Sequence, residues 1–216
     1  MKILMISPQI PYPYIGGAKM VTYNTIKYLS KNKVDITLLA LGRNDAESSN
    51  ALKKYCNLKI VPFKTNNNYL KIIMNIFSTK PYFISKYFSQ RLIEKIDFIL
   101  KNNDIQLVHI ERLHMAYCAK HIKANYSLPI VFRPHNVESS ILYGYLKYTK
   151  NFFIKKFLKI QYARLYRYEK EIIKYFDKCL AISKIDKNEM IKMNTDLDCM
   201  VINPGINILK SPKKNI

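Results

Sequence analysis

The chain has 216 residues, 49% of them apolar, which is enough for one domain with a substantial core. Lysines interrupt every apolar segment, so no window approaches the roughly 18 apolar residues of a membrane-spanning helix. Lys and Arg number 36 against 15 Asp and Glu, and the net charge of +21 favours polyanions as partners: nucleic acid, an anionic membrane or phosphorylated substrates. The opening run KILMIS predicts a buried strand, since it is too brief for a signal peptide and Pro8, Pro11 and Pro13 end it at once. A helix over 18–31 follows Gly16-Gly17, with Met20, Val21, Ile26 and Leu29 able to face a sheet. Further strands are expected at 34–41, 58–63, 105–110, 129–134, 178–183 and 199–203. Helices are expected at 45–55, 86–102, 113–124, 150–175 and 184–193.

Continuous apolar runs without period-two alternation mark strands covered on both faces. Their alternation with helices predicts an α/β fold: a doubly wound, mostly parallel, Rossmann-like sheet with helices on both faces. One domain is expected over 1–203, with 204–216 a linker or tail. In such sheets ligands lie beyond the carboxyl ends of the strands. That rule singles out Ser7 to Gly17, Glu111 with Arg112, His135 with Asn136, Ser183, and Asn203-Pro204-Gly205. A turn is expected at Asn66 to Asn68. Cys56, Cys118, Cys179 and Cys199 stand singly and read as buried free thiols, while the spacing of His109, His114 and His121 fits no metal helix. No metal site is expected.

Gly16-Gly17 falls between the first strand and the first helix. A helix start offers free N–H groups and partial positive charge to a phosphate or carboxylate, and glycine permits close approach. The same pair can equally serve a tight turn, and it matches neither GxGxxG nor a P-loop. Glu111 and Arg112 suit acceptor hydroxyls or phosphate, or a plain surface ion pair. His135 can bond a sugar hydroxyl or shift charge near a reacting centre. Ser183 opens SKID, a Ser-x-x-Asp pattern that caps the next helix.

The order of these motifs, KILMIS, a proline-containing loop, Gly16-Gly17, PHNVES, AISKID and VINPGIN, resembles the N-terminal domain of glycosyltransferase family 4 over residues 1 to 207. The resemblance implies a retaining nucleotide-sugar glycosyltransferase, of hexosyltransferase type, with the GT-B fold. This half would bind the acceptor and a second domain the donor. It assigns Gly16 and Gly17 to the donor diphosphate, His135 to catalysis beside the transferred sugar, and Glu111, Arg112 and Asn136 to the acceptor or sugar. Asn207 and Pro204 depart from the family's Asn-Gly-Val-Asp type of motif. The paired glutamates, eight positions apart, that hold the donor in the family's second domain have no counterpart here, so half an active site, inactive alone, is expected. No cofactor is implied beyond the nucleotide-sugar substrate.

Residues 146–175 carry nine basic side chains, two acidic and eight aromatic. Ile154, Leu158, Leu165 and Ile172 form a stripe at near-helical spacing, which leaves Phe152, Phe153, Phe157 and the lysines outside it. Phe153, Lys155, Lys156, Phe157 and Lys159 suit contact with an anionic bilayer, although an ordinary solvated lysine face accounts for the charge equally well. A second basic-aromatic stretch spans 69–91. The expected acceptor is lipid-linked or a cell-envelope polysaccharide, at the cytoplasmic face of the membrane. The competing class is a non-catalytic basic Rossmann-like module for nucleotide or nucleic acid. Nucleic acid is the weaker partner because no RNP, KH or zinc pattern occurs.

Overall fold

A computed structural model describes residues 1–43, 45–64, 74–75 and 78–205. Asn207, the Asn66 to Asn68 turn, most of 69–77 and the tail beyond 205 lie outside the described residues. Seven parallel strands form one sheet: β1 (Lys2–Ser7), β2 (Asp35–Gly42), β3 (Asn57–Pro62), β4 (Leu107–Glu111), β5 (Ile130–Arg133), β6 (Lys178–Ala181) and β7 (Cys199–Val201). Their order is β3-β2-β1-β4-β5-β6-β7, so the connection reverses direction between β1 and β4. Ile3 pairs with both Ile36 and Leu107, and Ile6 with Leu39 and Ile110, which brings the carboxyl ends of β1 and β4 side by side.

Alternate side chains of the strands enter two cores. On one face Ile3, Met5, Ile36 and Leu38 pack against α1 (Gly17–Lys31) and α2 (Ala46–Lys53) through Tyr23, Ile26 and Leu52. The buried side of α1 is Thr22, Tyr23 and Ile26, while Met20 and Val21 are only half-buried. On the other face Leu4, Ile6, Val108, Ile110 and Phe132 meet α4 (Gln90–Asn102), α5 (Tyr117–Asn125) and α7 (Phe152–Ile172). Short α3 (Tyr82–Ser85) precedes α4, and α8 (Lys184–Met193) precedes β7. Coverage thins on the α1 side towards β7, where Met200 and Ile202 stay 43% and 39% exposed, so two-sided burial holds for β1 and β2 but not for the far edge. All four cysteines are buried free thiols. Among the described residues no helix is long and apolar enough to cross a membrane.

Two described helices escape the sequence pattern, the four-residue α3 and the longer α6 (Glu138–Tyr148). α6 reads ESSILYGYLKY, with Gly144 in its interior and a single buried residue, Ser139, so no apolar stripe announces it. Glu169 of α7 holds its start: the carboxylate accepts the N–H of Glu138 at 2.8 Å and of Ser139 at 3.1 Å. α6 and α7 form a hairpin. α7 has 21 residues, a length of ~31 Å at 1.5 Å each, and it must return the chain from the carboxyl edge of β5 to the amino end of β6. Those strands have four residues each, a rise of only ~13 Å, so the first turns of α7 overhang the carboxyl edge. Burial follows this geometry. Gln161, Leu165, Glu169 and Ile172 are buried, whereas Phe152, Phe153 and Ile154 are 70%, 80% and 53% exposed. The expected stripe therefore loses Ile154, which has no sheet beneath it, and gains two polar residues that bond backbone.

Candidate active site at the β1/β4 switch

The first residue past β1 with a left-handed φ is Gly16, at φ 91 and ψ 148, immediately before α1. No side chain caps the helix there. A Cβ placed on either Gly16 or Gly17 would meet no atom within 4 Å, so the space over the helix start is open. The left-handed φ belongs to Gly16 alone of the two.

Across the switch point, β4 ends in Glu111, which is fully buried. Its carboxylate contacts three groups: the His135 Nε2 in a short hydrogen bond, the Thr22 hydroxyl of α1 at 3.3 Å, and the His109 Nε2 at 3.0 Å in an ion-pair contact. Burial alone would raise this carboxyl, but the contacts with His109 and His135 overcome it and hold Glu111 well below the usual carboxylate range. An ionised Glu111 can only accept, so His135 Nε2 carries the proton and Nδ1 is left as the ring's other nitrogen. His135 itself sits in the left-handed region, at φ 70, and is buried. Arg133 extends the polar layer by donating to the Thr25 hydroxyl at 2.8 Å.

Arg112, directly after β4, also has positive φ, at 66, and its charge acts on Tyr87 and Glu138. Burial raises the Glu138 carboxyl while Arg112 and His135 oppose the rise. Beside them His114 is clamped between the rings of Phe83 and Tyr87, at 4.0 and 4.2 Å. Burial first, then Arg112 and Lys86, push His114 down to about 3, so it packs as a neutral ring. A mixed polar cleft of roughly 360 Å³ opens at the carboxyl ends of β1, β2 and β3, lined by Gln9, Tyr12, Lys19, Arg43, Asp45 and Tyr87 among others.

The structure thus gathers Gly16, Gly17, Glu111, Arg112 and His135 along one edge, with corrections to individual roles. Glu111 is sealed from any acceptor, so its direct acceptor contact gives way to holding His135. Asn136 faces a small apolar recess with Leu113, Phe132 and Met190 instead of the cleft. Ser183 accepts the Asp186 N–H at 3.1 Å and bonds its carboxylate, as SKID implies. Phe153, Lys155, Lys156 and Lys159 are exposed, but Phe157 is half-buried in a groove against α6. Sequence reasoning missed Thr22, His109 and Arg133. Their signal is an uncommon one, polar residues inside an apolar run and on the buried side of a helix.

The model of Glycosyltransferase Family 4 matches residues 15–209. The chain belongs to glycosyltransferase family 4. Solved GT-B glycosyltransferases share its fold. Sucrose-phosphate synthase from Thermosynechococcus elongatus superposes with TM-score 0.60 at 9% identity, covering 96% of this chain and 49% of that one. The UGT2 of Phytolacca americana, solved with UDP-2-fluoro-glucose and pterostilbene, gives 0.56 at 8% identity, covering 96% and 55%. A glycosyltransferase from Rickettsia africae gives 0.51 at 17%, covering 95% and 43%. The family 4 chain described here spans about half the length of these enzymes. No curated protein matches its sequence significantly.

Proposed function

We propose that this chain is the acceptor-binding half of a retaining glycosyltransferase, of hexosyltransferase type. It would move a sugar from a nucleoside-diphosphate donor to a lipid-linked or polysaccharide acceptor at an anionic membrane on the cytoplasmic side. The observation that carries the reading is the Glu111–His135 pair set across the β1/β4 switch from the open helix start at Gly16-Gly17. The donor diphosphate would meet the free N–H groups at the start of α1 and nearby basic side chains, with no metal or further cofactor invoked. His135, oriented by Glu111, would face the transferred sugar through its remaining nitrogen. Arg112 and the β1–β3 cleft would take the acceptor.

Transfer needs donor and acceptor held together and the leaving diphosphate stabilised, and one domain supplies half of that. Phe153, Lys155, Lys156 and Lys159 on the overhanging turns of α7 would touch the bilayer, with the sugar chemistry just behind them. The test is transfer from a panel of nucleoside-diphosphate sugars by a two-domain form and by its His135→Asn variant, since Asn tolerates positive φ. Loss of turnover with retained folding supports the reading. Parental turnover by the variant, or steeply salt-dependent RNA binding with no response to any nucleotide-sugar, refutes it.

A further inference from the structure

Between α6 and α7 runs a second cavity, about 240 Å³ and almost wholly apolar, whose walls are Phe83, Ile141, Leu142, Phe157, Leu158 and Leu165. Its one carboxyl is Glu138, at the inner end. Glu138 stands within the charge field of Arg112 and His135, and Tyr87 feels both Arg112 and Glu138. Tyr87 in turn lines the polar β1–β3 cleft, and His114 bridges Tyr87 of that cleft to Phe83 of the groove. The two cavities, one polar and one greasy, thus lie on either side of His114, just past the carboxyl end of β4. The groove's outer end opens where Tyr145, Phe152 and Phe153 are 66%, 70% and 80% exposed among Lys147, Lys155, Lys156 and Lys159.

We propose that the α6–α7 groove takes the hydrocarbon tail of a lipid-phosphate acceptor whose polar head lies in the β1–β3 cleft. The inference rests on the lipid-linked acceptor of the preceding section and names where the lipid part goes. An apolar channel that begins beside the reacting edge and ends among cationic and aromatic side chains matches such a molecule along its length: head, phosphate, tail, bilayer. The charge of Arg112 acts on both Tyr87 of the cleft and Glu138 of the groove, so it would favour a phosphate passing between them. A tail in the groove would present the head at a fixed distance from His135 without full extraction from the membrane.

The probes are octyl, decyl and dodecyl phosphate below their micellisation concentrations, with inorganic phosphate as the headgroup alone, titrated against the full chain by calorimetry. Affinity should rise about fourfold per methylene, so roughly 15-fold from octyl to decyl phosphate. Ile141→Arg places a charge in the groove wall at a position already 41% exposed, and should cost at least about tenfold in dodecyl phosphate affinity with an unchanged melting temperature. Phe98→Arg, on the outer face of α4, should cost nothing. Equal affinity for octyl and dodecyl phosphate, or equal losses in both variants, overturns the inference.

Vesicles of phosphatidylglycerol distinguish the acceptor's own tail from a bulk phospholipid. Sedimentation with them should be the same for Ile141→Arg and its parent, and a parallel loss overturns the assignment to the acceptor. The underlying reading fails separately, if a two-domain form glycosylates only water-soluble saccharides while alkyl phosphates still fill the groove. If lipid-linked acceptor is glycosylated equally by Ile141→Arg and parent, the groove assignment alone falls.

Discussion

The glycine pair offers a sharp test because its two members differ in backbone. Gly16 lies at φ 91 and ψ 148, close to a region that only glycine visits readily, whereas Gly17 begins α1 without positive φ. Gly16→Val should therefore cost roughly 1–3 kcal/mol, and for a chain of this size that lowers the melting temperature by about 2–12 °C. Gly17→Val trades one weak helix former for another, and its side chain enters open space, so stability should stay within about 0.5 kcal/mol of the parent. That same open space is where a diphosphate would approach the helix start. Two methyl groups there should hold the phosphate oxygens off the N–H groups and weaken nucleotide-sugar binding in a two-domain form by at least about tenfold, or roughly 1.4 kcal/mol, the order of one charge-assisted hydrogen bond. Melting curves and donor affinity measured on both variants give the answer. A Gly17→Val protein with parental melting and parental donor affinity would refute the phosphate role, leaving Gly16 as a turn former and Gly17 without a function.

Four further outcomes follow from named side chains. Glu111→Gln leaves two buried histidines facing an amide, and urea unfolding should show a loss of about 3–5 kcal/mol at neutral pH. Because the folded carboxyl lies below its ordinary value of 4.5, the parent's Glu111 contribution is present above that pH and fades as acid approaches the folded value, so the variant's acid limb should be flatter. Glu169 runs the other way: burial raises it to about 7 against its backbone and Ser139 hydrogen bonds, so its contribution is full below pH 4.5 and lost as pH climbs through 7. The loss is on the order of 3 kcal/mol, and Glu169→Gln should remove that slope from a pH series of unfolding free energies. Reversing Lys155, Lys156 and Lys159 to Glu should abolish sedimentation with anionic vesicles without lowering the melting temperature, each lysine contributing about 1 kcal/mol near the headgroups before screening. The chain alone should turn over no nucleotide-sugar, and clear turnover by the purified protein would defeat the half-site reading.

What sequence makes legible here depends on what burial leaves in the residue pattern. All seven strands appear as apolar runs; for the inner ones the reason is that a parallel strand covered on both faces must be apolar throughout, and VDITLLAL or IQLVHI can be little else, whereas edge strands β3 and β7 keep the run with less cover. α4 is equally plain, with Leu92, Ile93, Ile96 and Ile99 on one side. α6 is invisible for the opposite reason: it is held by Glu169 at its start and by α7 along its flank, so it needs no apolar stripe. The candidate site divides in the same way. Position after a strand finds His135 and Glu111, yet position cannot tell a carboxylate that faces solvent from one turned beneath α1. That difference is decided by three partners, two of them far away in sequence: Thr22 from the helix and His135 from the next strand's end, with His109 two residues back on the same face of β4. Burying a lone carboxylate costs several kcal/mol, so a glutamate closing an apolar strand can stay ionised there only if such partners converge on it. Two of them are histidines, one of them within β4 itself, and an imidazole inside an apolar strand is the residue that should direct attention to the carboxylate two positions on. The alternation of strand side chains places His109 and Glu111 on one face, where the start of α1 must also lie for β1 and β2 to be covered. Pairing the polar exceptions of buried elements by face separates Glu111, which is sealed beneath α1, from Arg112, which is only half-buried.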